Sequence, residues 1–277
     1  MNAGAHPAHH LKFSRLMSPS PTYQETGDLI ARSLRRSWEP DPALELPPPE
    51  CLARALPEFA RGGGTMLLYH RLRAAPAHAP DLLERLRGQY RIELLNARRR
   101  ERCLAETVQL LRDHGVEPLL IKGWAVARLY PDAALRPYGD LDLCVADSNY
   151  DRAYEVLRGR ENPVAPVELH AASGAQGDLR YASLFERSDT VTLHGVEIRI
   201  PSEEEHLRLM ALHLLGHGAW RPMWLCDLGV AVEHRSAGFD WDRCLHGNRR
   251  LSHWVLTALA LAGDLLGARL NDTPAAG

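Results

Sequence analysis

The stretch RPYGDLDLCV, residues 136–145, follows a turn that contains proline and glycine with an apolar strand that carries two aspartates. Alternate residues of a strand point to opposite faces, so Asp140 and Asp142 lie side by side, about 6.6 Å apart along the strand. Two carboxylates held this close repel each other unless a cation compensates them. Magnesium, which takes carboxylate oxygens as ligands, is one solution. The alternative is that both aspartates are solvated and inert at a strand end.

The composition is that of an ordinary globular chain. Its 277 residues predict one large or two modest domains, and a hydrophobic content of 45% is sufficient for a packed core. The 33 basic and 35 acidic residues give a net charge of −2, so no global field attracts nucleic acid or an anionic membrane. The five cysteines are scattered, which argues against a disulfide framework or a zinc knuckle. We expect a cytoplasmic protein without membrane insertion, and no binding of nucleic acid.

Four segments follow from the hydrophobic periodicity. Residues 1–25 are predicted to be a disordered tail, and residues 26–115 an N-terminal helical region that includes one long helix from Pro80 to Gly115. Residues 116–201 change to the period of strands, and residues 202–277 return to that of helices. The predicted fold is therefore α+β, with a small mixed β-sheet flanked by N-terminal and C-terminal helical regions.

Short apolar runs locate the strands of this sheet. Three strands are predicted, at 116–121, 140–146 and 166–171. Residues 190–200 predict a hairpin, in which a two-residue turn at His194-Gly195 places its flanking residues opposite each other. Ser202 and Glu205 have the spacing of a capping box and predict the start of the next helix.

The residues upstream of the aspartates favour a phosphate ligand. A predicted strand ends at Lys122-Gly123 and a short helix begins at once, and Lys122 is one of only two lysines in the chain. Glycine allows backbone amides to approach a phosphate, and a helix N-terminus favours an anion. Arg136, four residues before Asp140, offers a second cationic group.

In combination these motifs resemble the uncharacterised nucleotidyltransferase family of the polymerase-beta-like nucleotidyltransferase superfamily. The similarity covers roughly residues 50–250 and predicts that residues 116–201 form the nucleotidyltransferase α/β core. The matching motifs are Lys122-Gly123, Leu129-Tyr130-Pro131, Arg136, Asp140-Leu141-Asp142-Leu143, VELH at 167–170, a helical histidine at 213 or 217, and WLCDL at 224–228.

The resemblance implies roles for six residues. Asp140 and Asp142 would hold the metal, expected as two Mg²⁺ ions, and Glu168 would complete the site or take the proton of the acceptor hydroxyl. The remaining three would face the triphosphate, namely Lys122, Gly123 and Arg136. The implied reaction transfers a nucleoside monophosphate from a nucleoside triphosphate, with ATP as the expected one, to an acceptor and releases pyrophosphate. The acceptor would be a small molecule or a peptide or protein side chain.

One departure from the superfamily's pattern, and one residue of the implied site, leave alternatives open. Trp124 replaces the serine that follows the glycine in the wider superfamily, and a bulky indole there conflicts with ordinary triphosphate binding. A non-catalytic binding or accessory module, serving a biosynthetic or toxin–antitoxin partner protein, is therefore one alternative. A kinase that uses the same metal site is another. For Glu168, the alternative is a surface carboxylate.

Other polar residues favour structural roles. His213 and His217 share one helix face, as zinc-binding pairs do, but no third ligand is evident, so packing or hydrogen bonding near the active-site cleft is favoured. Asp227, in an apolar helix, is predicted to pair with Arg221 or with one of these histidines. The basic run at 98–102 is predicted to be a solvated helix face.

Overall fold

The computed structural model describes residues 23–41, 43, 45–158 and 164–275. Its helices are α1 Tyr23–Leu34, α2 Pro49–Arg54, α3 Leu56–Gly62, α4 Thr65–Ala74, α5 Pro80–Asp113, α6 Trp124–Ala127, α7 Tyr150–Arg158, α8 Tyr181–Glu186, α9 Glu203–Gly216, α10 Pro222–Glu233, α11 Trp241–Cys244 and α12 Arg249–Leu266. Its strands are β1 Leu119–Leu120, β2 Leu141–Val145, β3 Val167–Ala171, β4 Ala175–Gln176, β5 Leu179–Arg180, β6 Ser188–Leu193 and β7 Val196–Pro201. The α+β fold predicted from the sequence is confirmed.

Five strands form one mixed sheet in the order β3-β2-β1-β7-β6. β1 is antiparallel to β2 and parallel to β7, while β2 is parallel to β3. β6 and β7 form the predicted hairpin, with Leu193 opposite Val196 and Val191 opposite Ile198. The aspartate-bearing strand is therefore an inner strand, next to the strand that carries the VELH motif.

Two apolar clusters cover the two faces of the sheet. One contains Leu141, Leu143 and Val145 of β2 together with residues from the second half of α5. The other joins α1–α4 to the C-terminal helices α9, α10 and α12, and it includes Cys144 of β2. Because alternate strand residues point to opposite faces, Asp142 lies on the same side as Cys144. That side of the sheet faces the cluster shared by the N-terminal and C-terminal helices.

The predicted boundaries hold for the long elements and fail for short ones. The long helix ends at Asp113, close to the predicted Gly115, whereas the strand predicted at 116–121 is only Leu119–Leu120. Residues 1–22 of the predicted tail lie outside the described residues, and α1 already begins at Tyr23. The division into a tail, two helical regions and a core stays a prediction.

The predicted capping box at the start of α9 is wrong. Ser202 occupies the N-cap position, but its side chain makes no capping hydrogen bond. Its hydroxyl instead accepts a hydrogen bond from Arg243 at 3.0 Å, and Glu205 accepts one from Arg187 at 2.6 Å. Hydrogen bonds to charged groups are stronger than neutral ones, so these arginines compete successfully for both partners.

Among the described helices, none has the length and apolar character that a membrane crossing requires.

Candidate active site

Two adjacent parallel strands bring the acidic residues together. In the register of β2 and β3, Asp142 lies opposite Glu168, and Cys144 lies opposite His170. Residues two apart on one strand share a face, so His170 points to the same side as Glu168. Asp142, Glu168 and His170 each offer a ligand atom, and these atoms all lie within 4.8 Å of one another. We call these three residues the acidic cluster.

Lys122 completes the arrangement from the loop that follows β1. Its Nζ lies 2.9 Å from Oδ1 of Asp142, and Nε2 of His170 lies 3.2 Å from the same oxygen. His170 Nε2 is also 3.5 Å from a carboxylate oxygen of Glu168. The side chain of Asp142 is 5% exposed, whereas that of Glu168 is 58% exposed. The cluster thus has a buried end at Asp142 and an end open to solvent at Glu168.

Asp140 lies immediately before β2, one residue outside the strand predicted at 140–146, and its electrostatic environment is opposite to that of Asp142. Burial alone would raise the pKa of Asp142, but the hydrogen bond from His170 and the charge of Lys122 outweigh it, so this pKa lies below its usual value. The pKa of Asp140 lies above its usual value, because burial and the negative charge of Asp142 outweigh the attraction of Lys122. Lys122 therefore compensates one aspartate and leaves excess negative charge at the other.

Gly123 has a backbone conformation that requires glycine. Its φ is 65° and its ψ is −115°, and a Cβ at this position would come within 3.4 Å of the carbonyl oxygen of Asp140 and the ring of Tyr138. A side chain here would be strained by the positive φ, although its Cβ would make only ordinary contacts. The glycine lets the chain turn directly from Lys122 into α6, which holds the lysine beside Asp142.

Trp124 lies away from the acidic cluster. Its indole is buried in the apolar cluster that contains Leu141 and Leu143, and its Nε1 donates a hydrogen bond to Glu101 at 3.4 Å. That is the face of β2 opposite to Asp142. The indole therefore packs in the core and does not occupy the space around Lys122, which was the conflict expected from the sequence.

Arg136 is held by Asp227. Its guanidinium donates to both carboxylate oxygens of Asp227, at 2.7 and 3.2 Å, and Tyr130 donates its hydroxyl to the same carboxylate at 2.8 Å. Burial opposes the charge of Arg136, but Asp227 outweighs it and raises the pKa of Arg136. Asp227 therefore pairs with Arg136 and Tyr130, instead of with Arg221 or a histidine as its sequence context predicted.

The sequence of the chain matches the model of a known protein family. The model of an uncharacterised nucleotidyltransferase family matches residues 59–161 and 160–267. The chain belongs to this family. The matched region contains Lys122, Gly123, Arg136 and every member of the acidic cluster. The resemblance inferred from the motifs is confirmed.

Other comparisons add little to the family assignment. No curated protein matches the chain. A solved structure, an antigenic nucleotidyltransferase-like protein from Paracoccidioides brasiliensis, has 16% sequence identity and a TM-score of 0.46, covering 61% of this chain and 92% of that chain. The family assignment rests on the match of the family model.

His170 lies in the site of this nucleotidyltransferase family member, but the sequence did not predict it there. The VELH motif was noted, but only Glu168 was given a role. The usable signal was its spacing, because a residue two positions after Glu168 on the same strand has to share its face. The alignment of β2 with β3 then brings the imidazole to Asp142.

The acidic cluster has the donor set of a divalent cation site. Two carboxylates offer the oxygen ligands that Mg²⁺ prefers, and an imidazole also suits transition metals such as Mn²⁺. Burial, and then the negative charge of Asp142, raise the pKa of Asp140 more than Lys122 lowers it. Asp142 and Glu168, both predicted metal ligands, lie in the cluster, and Asp140 lies beside it. The roles of the six predicted site residues stay predictions.

Proposed function

We propose that this chain is a magnesium-dependent nucleotidyltransferase, which moves a nucleoside monophosphate from a nucleoside triphosphate, with ATP as the default, to an acceptor. The observation that carries the proposal is the convergence of Asp142, Glu168 and His170 within 4.8 Å, with Lys122 bound to Asp142. Membership in a family of uncharacterised nucleotidyltransferases supports a nucleoside triphosphate as the substrate. The acceptor is a small molecule or a peptide or protein side chain.

Different residues of the site would bind the cations and compensate the charge of the triphosphate. Asp142 and Glu168, with Asp140 and His170 beside them, would hold divalent cations, which neutralise charge on the reacting phosphates. Lys122 supplies a fixed positive charge for the triphosphate, next to the backbone turn at Gly123. Positioning and charge compensation account for most catalysis in phosphoryl chemistry.

Glu168 fits the role of accepting the proton of the acceptor hydroxyl. Its side chain is 58% exposed, so an acceptor that approaches from solvent reaches this carboxylate before it reaches the buried Asp142. A general base has to come within hydrogen-bonding distance of the proton it removes. Asp142 is already engaged by Lys122 and His170, which suits a residue that binds and does not move.

The position of Trp124 argues against a non-catalytic module. That alternative came from Trp124, and the indole packs on the other face of the sheet, within the apolar core. A kinase that uses the same residues differs only in which phosphorus is attacked. The two reactions add groups of different mass to the acceptor, so mass spectrometry of the product distinguishes them.

The test compares the wild type with the double variant Asp140→Ala, Asp142→Ala. Thermal unfolding is followed with Mg²⁺ and each of ATP, GTP, CTP and UTP, and transfer is followed by mass spectrometry. We expect at least one triphosphate to stabilise the wild type and none to stabilise the variant. Asp189→Ala, which removes an exposed carboxylate from the far edge of the sheet, is the matched control and should behave as wild type.

Two results contradict the proposal. If the double variant kept full transfer activity, the acidic cluster would not be the active site. If no triphosphate stabilised the wild type with Mg²⁺, the accessory module would be the better description.

A further inference from the structure

A group of aromatic rings and one arginine lies at the junction of α9 and α10, outside the roles proposed above. Its members are His213, His217, Trp220, Arg221 and Trp224, and we call them the aromatic wall. The ring centroids of His213 and Trp224 lie 4.6 Å apart, those of His217 and Trp224 5.4 Å apart, and those of Trp220 and Trp224 5.8 Å apart. The rings therefore form one continuous surface with Trp224 at its centre.

Trp220 is the open end of this surface. The chain turns between α9 and α10 through Gly218 and Ala219, both with positive φ, and Trp220 follows with 55% of its surface exposed. An exposed indole forgoes the stabilisation of roughly 25 cal/mol per Å² that burial of apolar area provides. A flat ligand that stacked on this ring would bury apolar area and recover part of that stabilisation.

Arg221 brings a positive charge without an anionic partner. Its guanidinium lies 5.8 Å from the ring centroid of Trp220 and 5.5 Å from that of Trp224. In the part of the chain that the structure describes, it makes no ion pair with a carboxylate, and its buried Nε has no hydrogen-bond partner. Arg136 and Arg208, by contrast, are each bound to an aspartate. The wall thus combines aromatic surface with uncompensated positive charge.

The helix that carries Trp224 is fixed to the segment that leads into Asp140. Burial lowers the pKa of His213 to about 4, and the charges of Lys122 and Asp142 also act on it, in opposite directions. The His213 ring is therefore within the range of the charges of Lys122 and Asp142. Asp227, three residues after Trp224 on α10, is fixed by Arg136, which precedes Asp140 by four residues. This pair fixes α10, whose first turn carries Trp224, relative to the segment that leads into β2.

We infer that the aromatic wall binds the base of the nucleoside triphosphate. The base stacks on Trp220, and Arg221 complements the negative charge of the phosphates. This inference rests on the proposed function and names the subsite of the base. A nucleotide is the ligand that joins a flat ring to an anionic chain. Here an aromatic surface with an arginine that has no carboxylate partner among the described residues lies on α10, the helix that Arg136 and Asp227 fix to the segment before Asp140. Every base has a π-face, so stacking is tolerant of base identity.

The test separates the base from the phosphates. Binding of Mg²⁺ complexes of ATP, GTP, CTP and UTP is measured by calorimetry for the wild type, Trp220→Ala and Trp220→Phe, and inorganic tripolyphosphate serves as the ligand without a base. Loss of one stacking contact weakens binding by about tenfold or more. We expect that loss for Trp220→Ala with all four nucleotides, little change with tripolyphosphate, and substantial recovery in Trp220→Phe.

Trp254 on α12 provides the matched control. It is 38% exposed and has the Arg250 guanidinium 4.9 Å from its ring centroid, so it reproduces the pairing of indole and arginine on another helix. Trp254→Ala should bind all ligands as the wild type does. Arg221→Met should weaken nucleotide binding while the thermal stability of the protein changes little.

The possible failures are distinguishable. If tripolyphosphate binds with Mg²⁺ but ATP binds no more tightly, or if Trp220→Ala leaves nucleotide binding unchanged, the proposed function stands and this inference is wrong. Unchanged nucleotide affinity would also be the result if the wall bound an aromatic acceptor. If the wild type binds neither tripolyphosphate nor ATP, the proposed function and this inference are both wrong.

Discussion

Two aspartates of this protein are equally buried and have different surroundings. Asp142 on β2 is 3% exposed, and Asp227 on α10 is 2% exposed. Asp227 receives a two-point contact from Arg136 and a hydroxyl from Tyr130, so its charge and its oxygens are fully used. Among the described residues, Asp142 receives contacts from Lys122 and His170 alone, and it adjoins the further carboxylates of Asp140 and Glu168.

The difference lies in whether negative and positive charges are matched. A buried carboxylate with a matched arginine has no capacity left for a ligand, so it fixes two elements relative to each other. Three carboxylates around one lysine have negative charge in excess, which is the condition for binding a cation. Burial alone therefore does not identify an active-site aspartate, whereas the balance of charge around it does.

The largest effect is expected from Asp227→Asn. This change leaves the buried guanidinium of Arg136 without its counter-charge, and loss of one partner of a buried pair costs about 3–5 kcal/mol. The free energy of unfolding, measured by urea denaturation, should fall by that amount. The double variant Arg136→Met, Asp227→Leu should recover most of the loss, because it removes both charges. A fall of less than about 1 kcal/mol for Asp227→Asn would mean that the matched pair is not structural.

A smaller effect is expected from pH at His206, a buried histidine on α9 that feels the charge of Arg136. Burial, and then the charges of Arg128 and Arg136, lower the pKa of His206 to about 3. The unfolded chain, with an ordinary histidine pKa of about 6.5, takes up the proton first, so stability falls as the pH decreases from about 6.5 towards 3. At pH 5 the loss is about 2 kcal/mol, from about 1.4 kcal/mol per pH unit.

The variant His206→Gln isolates this contribution. Its free energy of unfolding should depend less on pH than that of the wild type between pH 6.5 and 5, because glutamine does not titrate. Parallel profiles for the two proteins would show that His206 is not kept neutral by its surroundings.

The smallest effect on stability is expected from Asp142→Asn. The change loses the carboxylate that Lys122 and His170 stabilise, but it also removes a negative charge beside Asp140, and Lys122, whose side chain is 21% exposed, can turn to water. Because these effects oppose each other, the free energy of unfolding should change by less than about 1 kcal/mol. Mg²⁺ or Mn²⁺ should raise the melting temperature of the wild type and not that of the variant. A loss as large as that of Asp227→Asn would remove the contrast between the two aspartates.

The sequence predicted those parts of the fold in which local pattern and tertiary environment agree. The hairpin register follows from a two-residue turn at His194-Gly195, since a strand that buries one face tolerates no slip. The long helix follows from its apolar periodicity. The capping box did not form because two arginines from other elements bind its two side chains. Arg243 donates a hydrogen bond to the Ser202 hydroxyl, and Arg187 donates one to the Glu205 carboxylate. No local pattern contains that competition.

For the site, the sequence by itself determined that Asp142 lies on a strand with Asp140 two residues before it, and that Lys122 and Gly123 follow the preceding strand, although Asp140 lies just before β2 and β1 already ends at Leu120. Local geometry is sufficient for this, because strand residues two apart always share a face. Only the tertiary structure decided that His170 joins Asp142, that Asp227 takes Arg136, and that Trp124 turns into the core. Those three outcomes depend on which strands pair and which helices pack together, and both are set by contacts between residues far apart in the chain.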